Sequence, residues 1–171
     1  VHIFAPLLIQ VVPAKPIQEA PLSKIAALEA AGKLTITRKR DGYCHLVSRA
    51  TKNVGIYTRS IEDTTERYPH IAKAERALEV KNTLLATEIL FDRNGVDDFA
   101  AFARIAKSNP DRAYNLQAQD GWASCMVFDI IARNGRMMTC EPFSNRLDAL
   151  REIFSRADSE DLFLVPIVQE P

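Results

Sequence analysis

The chain is short of the residues that build several familiar sites. Its 171 residues include 6 glycines, 3 cysteines and 1 tryptophan, and its 22 basic side chains are matched by 22 acidic ones. Without a glycine-rich run there is no loop of the kind that cradles nucleotide phosphates on backbone amides. Cys44, Cys125 and Cys140 are odd in number and lack metal-ligand spacing, which argues against a disulfide framework or a zinc site and for a reducing, intracellular compartment. His2, His45 and His70 show no ligand spacing either. The apolar start, Val1 to Val12, has no basic leader and is broken by Pro6 and Pro13, so it reads neither as a signal peptide nor as a membrane span. Zero formal charge removes the simplest case for nucleic-acid binding, a globally basic domain, and leaves room only for a local site.

What is present suits one globular domain: 47% hydrophobic and 26% charged residues, without repeats or low-complexity tracts. Residues 1–21 read as a proline-rich, extended lead-in and 22–171 as the folded core. Ser23 is placed to cap a helix over 24–31 that stops at Gly32. Short strands are expected at 33–37, around Leu46-Val47 and at 54–58, with turns at Asp41-Gly42 and Lys52-Asn53. Beyond them the pattern gives a helix from Pro69 to Val80, a strand at 83–91, a helix at 96–107 and a strand at 126–131. A turn at Asn134-Gly135, a helix capped by Ser144 and a strand at 162–168 complete the chain. The class is α+β, with antiparallel-rich sheets and flanking helices.

The densest polar cluster is Arg38-Lys39-Arg40-Asp41-Gly42. Spacing alone reads first as a solvated basic strand end closed by an Asp-Gly turn. The sharper reading is a nucleophilic lysine whose neighbouring cations lower its pKa. Ser124-Cys125 opens an apolar run with no base nearby in sequence and is not a nucleophile candidate. Charge is unevenly spread. From Lys33 to Lys52 there are six cations against Asp41, whereas from Glu141 to Pro171 there are three arginines against seven acids. A basic front able to meet phosphates is thus concealed within a neutral total.

Lys39-Arg40-Asp41-Gly42 resembles the K-x-D-G motif of covalent nucleotidyltransferases, which comprise ATP-dependent DNA ligases, RNA ligases and capping enzymes. The passage from Tyr57 to Pro69 is similar to the longer S/T-R-x-x-E-D-x-T-x-x-Y-P segment of the DNA ligases, which the other branches lack. Leu84 to Asp92 resembles the strand bearing the family's ribose-binding glutamate. Val127 to Ile130, Asn134-Gly135 and Glu141 to Arg146 resemble the passage whose aromatic stacks on adenine. The likeness runs from about Ala14 to Val168.

The resemblance implies the nucleotidyltransferase fold of DNA ligase catalytic domains, which is ATP-grasp-like, and ATP and Mg²⁺ as cofactors. Lys39 would attack the nucleotide and hold AMP, with Asp41 assisting. Glu88 would bind the ribose, Phe128 the base, and Thr37 the base through its backbone. Arg59 would meet the 5′-phosphate of nicked double-stranded DNA, with Arg40 and Arg49 as further DNA contacts. No separate metal-ligand set is expected.

Three positions depart from the pattern. Cys44 stands where K-x-D-G-x-R has arginine, Thr37 where glutamate is frequent, and Thr87 where glycine precedes the ribose-binding acid. The E-G-x-x-x-K strand, the lysine pair and the OB-fold domain expected further along are not in this sequence. With Val1 in place of an initiator Met, this suggests a segment of an adenylation domain. A catalytically impaired nucleotide- or nicked-DNA-binding module and an RNA ligase are the alternatives.

Overall fold

A computed structural model describes residues 21–168, so the extended lead-in expected over 1–21 lies, apart from Pro21, outside the described residues. The elements in chain order are α1 (Leu22–Ala30), β1 (Tyr43–Ala50), β2 (Asn53–Thr58), a 3-10 turn (Thr65–Arg67), α2 (Pro69–Ala77), β3 (Thr83–Leu90), β4 (Asp92–Arg93), β5 (Val96–Asp97), α3 (Phe99–Ala106), α4 (Pro110–Asp120), β6 (Ser124–Arg133), β7 (Arg136–Met137), α5 (Phe143–Phe154) and β8 (Leu162–Leu164). The main sheet runs β2-β1-β3-β6-β7, all antiparallel, and β8 joins β6 in parallel. β4 and β5 form a separate two-stranded hairpin.

Side chains alternate across a strand, and here the two faces differ in their cover. Leu85 and Ile89 of β3 join Val47, Ile56, Val127 and Ile130 in the large core, into which α2 sends Ile71, α3 Phe102 and Ile105, α4 Ala113, and α5 Leu150 and Ile153. Each such side chain contributes about 1.5–3 kcal/mol by leaving water. The opposite face holds two smaller clusters, one around Leu46, Leu84, Ala86 and Ile131 and one around Leu90, Met126 and Val165. Phe128 packs against both while staying half-buried.

Several expectations change in detail. Residues 33–37 do not form a strand. Leu34 and Ile36 alternate in burial with Thr35 and Thr37 as expected, but among the described residues the strand-type pairing of the segment is limited to one bridge from Thr37 to Ile167 and a bond from Val168 N to the Ile36 carbonyl. Asp41-Gly42 therefore bends the chain into β1 instead of closing a hairpin. Ser23 and Ser144 lie inside the first turns of α1 and α5, behind Pro21 and Pro142, and neither caps. Gly32, by contrast, ends α1 as expected. At φ 63° it donates to the Glu29 carbonyl while Lys33 N reaches Leu28.

The helix expected from Val96 begins at Phe99, with Asp98 capping Ala101 N, because Asn94-Gly95 makes Asp92–Asp97 a hairpin. α4 was not foreseen. Asn109 caps it and Pro110 opens it, yet its stripe is only Ala113 and Gln117, too polar to show a helical period. The Asn134-Gly135 turn between β6 and β7 has φ 51° and 78°, the geometry that Asn-Gly favours.

Arg49, expected as a DNA contact, is engaged inside the fold. Its Nη1 donates to the carbonyls of Glu75 and Leu78, at 3.0 and 2.7 Å, capping the end of α2, and faces the Glu75 carboxylate. Glu75 is fully buried, and one of its oxygens has no hydrogen bond. Burial pushes its carboxyl up to about 7, against the opposing pull of Arg49. The folded state thus holds a proton that the unfolded chain releases near 4.5, so this group favours folding at low pH and that advantage is lost as pH rises through about 7. Glu75→Gln should match the wild type in urea unfolding near pH 5 and exceed it increasingly toward pH 8.5, by up to about 3 kcal/mol. A gap that does not change with pH would refute this assignment.

Candidate active site

The loop carrying Lys39 is fastened at three points. The Gly42 amide donates to Glu88 Oε1 at 3.1 Å. The Asp41 amide donates to Asp97 Oδ2 at 2.9 Å. Arg40 pairs with Asp92 and Asp97 of the β4–β5 hairpin, Nε to Asp97 Oδ1 at 2.7 Å. Position 42 requires glycine for a reason independent of its φ: a Cβ there would collide with the Ile89 carbonyl oxygen on β3. Arg40, expected as a DNA contact, is engaged as an internal tie, with two carboxylate partners and a side chain only 14% exposed. Lys39 is exposed and, among the described residues, makes neither hydrogen bond nor ion pair.

Beside this loop lies a cleft of about 370 Å³ whose lining includes Thr37, Arg38, Lys39, Glu88, Met126, Phe128, Asp129 and Phe143. Its size is that of a small-molecule site. Four of the residues singled out from sequence, Thr37, Lys39, Glu88 and Phe128, therefore meet, although 91 positions separate the first from the last. Phe128 reaches it through a β-bulge. Ala86 pairs with Asp129 and Thr87 with Val127, so Phe128 is the extra residue and its ring is turned out of the ladder. Arg146 fixes Asp129 with a two-pronged pair, Nε to Oδ1 at 2.8 Å and Nη2 to Oδ2 at 3.0 Å, and lies over the Phe143 ring.

Charge in the cleft is graded. Burial raises the Glu88 carboxyl, while the Gly42 amide and nearby Lys39 oppose that rise. Cys44 is the direct cross-strand partner of Glu88, and burial followed by the Glu88 charge pushes its thiol up, so it stays neutral where an arginine would bring a cation. Two other clefts have comparable volume. One of about 350 Å³ holds the ion pairs Arg133–Glu152 and Arg156–Glu79, and another of about 430 Å³ lies along Val54–Arg67. Neither contains the four converging residues. Among the described residues there is no group of three or more metal-ligating side chains.

The Thr58 to Pro69 passage is mostly a self-bonded scaffold. Thr58 Oγ1 accepts from Glu62 N, and Thr64 Oγ1 donates to the Ile56 carbonyl. Asp63 caps Thr65, Arg67 pairs with Glu62, Tyr68 is fully buried, and Pro69 opens α2. Arg59 is the exception: exposed, close enough to influence Cys44, and without hydrogen bond or ion pair among the described residues. It does not line the cleft but stands at the end of β2, beside the strand that carries Cys44. Asp41 is exposed at the loop's edge. Sequence reasoning missed Asp92 and Asp97, whose signal was the Asn94-Gly95 turn, and the Asp129–Arg146 pair, which no local pattern announces.

A family model described as ATP dependent DNA ligase domain matches residues 14–166. Over 151 residues the chain is 26% identical to a probable DNA ligase of Dictyoglomus turgidum, covering 84% of this chain and 26% of that protein. Over 127 residues it is 35% identical to DNA ligase B of Mycobacterium tuberculosis, covering 72% and 25% respectively. Its fold resembles the ligase domain of M. tuberculosis LigD, with a TM-score of 0.58 at 21% identity over 79% of this chain and 40% of that one. It likewise resembles a mycobacterial DNA ligase D complexed with ATP and MES, with a TM-score of 0.57 at 22% identity and the same coverage. The chain spans about a quarter of the length of these curated relatives. Since the matched residues include every segment that lines the cleft, the chain belongs to the ATP dependent DNA ligase domain family.

Proposed function

We propose that this chain is the nucleophile-bearing part of a DNA ligase adenylation domain, and that Lys39 is adenylylated from ATP as the first step in sealing nicked double-stranded DNA. The observation that carries this reading is the convergence of Lys39, Glu88, Phe128 and Thr37 on one cleft. The E-G-x-x-x-K strand, lysine pair and OB-fold domain act with it elsewhere in the parent protein, which works inside the cell in repair, replication or recombination.

In this reading the deprotonated Lys39 Nζ attacks the α-phosphorus of ATP, the bond to the β-phosphate oxygen breaks, and pyrophosphate leaves. The flanking Arg38 adds positive charge that favours the incoming phosphates. Glu88 offers Oε2, free of hydrogen bonds among the described residues, to a ribose hydroxyl while Oε1 holds the Gly42 amide. Phe128 gives the base a flat apolar surface, and the Thr37 backbone borders its edge. Mg²⁺ accompanying the triphosphate would neutralise phosphate charge, as such ions do with one or two carboxylates. Among the described residues no group of three or more metal-ligating side chains stands ready to hold that ion. AMP then passes to the 5′-phosphate at the nick, steadied by the Arg59 guanidinium, with Asp41 assisting, and the 3′-OH displaces AMP. Cys44 favours a second reading, a binding module impaired in transfer, because a neutral thiol replaces a cation beside Glu88.

Incubating the chain with ATP and Mg²⁺ should give an AMP adduct on Lys39 by mass spectrometry, absent in Lys39→Ala. ATP binding without an adduct would favour the impaired module. Phe128→Ala should weaken ATP binding roughly 5- to 150-fold, the loss of about 1–3 kcal/mol of stacking. Arg59→Ala should leave adduct formation within about twofold, weaken binding to nicked DNA and lower the salt slope of that binding by about 1. An unchanged slope would remove Arg59 from the phosphate contacts.

A further inference from the structure

The structure assigns a positioning role to the β4–β5 hairpin: Asp97, with Asp92, holds the two residues after Lys39, the Gly95 carbonyl holds the Arg38 side chain before it, and together they fix where the lysine amine enters the cleft. This rests on the nucleotidyl-transfer reading of Lys39. The hairpin projects from the end of β3, two residues past Leu90, and its backbone meets the loop without belonging to the main sheet. Arg38 Nη1 donates to the Gly95 carbonyl at 3.3 Å. Arg40 pairs with Asp92 and Asp97, and the Asp41 amide donates to Asp97 Oδ2. Asp97 thus binds one guanidinium with one oxygen and one backbone amide with the other. Arg38, Lys39 and Arg40 are consecutive, and only the middle side chain has no internal partner.

The hairpin is closed by its own turn, which a positioning element requires, and it carries a more exposed ion pair to α3 that the hold on the loop does not use. Asn94 and Gly95 take the positive φ values of a tight turn, Gly95 N donates to Asp92 Oδ1 at 2.7 Å, and Arg93 pairs with Asp98 at the start of α3. Asp97 is only 10% exposed, and the Arg40 guanidinium and Asp41 amide hold its carboxyl below the usual range. The tie is charged and partly shielded from water, the setting in which such hydrogen bonds are strong. A displacement of about 1 Å in a reacting group costs on the order of 10²-fold in rate, so a loosened loop should slow transfer before it affects nucleotide binding.

The test combines an activity-free readout with a kinetic one. In Asp97→Ala, amide hydrogen exchange at residues 40–42 should rise about tenfold or more while β3 amides keep their protection. Single-turnover formation of lysyl-AMP should slow about 10- to 100-fold with ATP Kd within about twofold. Arg40→Ala should do likewise, and the double variant should be no slower than the slower single one, because both remove one tie. Arg93→Ala, which loosens the hairpin's other side, should leave the rate near wild type. Unchanged exchange in Asp97→Ala, additive losses in the double variant, or an equal loss in Arg93→Ala would overturn the positioning role. If the wild type forms no adduct yet Asp97→Ala loses protection at residues 40–42, the transfer reading fails while the clasp on the loop stands.

Discussion

β3 is the constraint on which the rest of the molecule depends. It lies at the centre of the sheet between β1 and β6 and is buried at every position except Glu88. A strand covered on both faces has no room for an unpaired charge unless something answers it. Glu88 is answered by the Gly42 amide, and that bond in turn draws the loop onto β3 so closely that only glycine fits. The backbone of the loop is therefore held against the half-buried carboxylate by close packing at Gly42. The same strand's other face, through Leu85 and Ile89, holds the helices, so the scaffold and the cleft share one element.

Much of this was legible in the residues, and what was missed has physical causes. Thr83 to Leu90 and Ser124 to Arg133 show themselves as apolar runs because both are covered on two sides. Asn134-Gly135 shows itself because few residues tolerate its φ values. The bulge at Phe128 has no sequence signature, since a bulge is a mismatch between two strands and neither strand carries it alone. Ser23 and Ser144 are good capping residues in the wrong register: each follows directly on a helix's first residue, and the proline before that residue sets the boundary. The strand expected at 33–37 has the alternation of a strand but, among the described residues, pairs with only two, and a ladder needs a partner as well as a pattern.

The fate of the arginines shows why charge counted along the sequence overstates the charge left free for phosphates. The stretch from Lys33 to Lys52 is strongly basic on paper, yet Arg40 is neutralised by two aspartates and Arg49 is spent on the end of α2. Arg67 and Arg146 are likewise committed, to Glu62 and Asp129. A guanidinium presents five donors and is readily used up by carbonyls and carboxylates inside the fold, so its presence in a basic run is weak evidence of an open phosphate site. What remains at the cleft after this subtraction is Lys39 with Arg38 beside it, and Arg59 at the end of β2, while Lys33 and Lys52 also carry no ion pair among the described residues.

That remainder also locates the consequence of Cys44. Its cross-strand position opposite Glu88 means that an arginine there would sit between the carboxylate and Arg59, adding a cation to a face where Lys39 and Arg59 already stand unpaired. With a neutral thiol instead, no cation at that position favours the ionised form of Glu88, and the positive potential available to phosphates falls to Arg38, Lys39 and Arg59. Because the Gly42 amide, and not residue 44, anchors Glu88, the cleft's geometry survives the exchange even though its electrostatics do not.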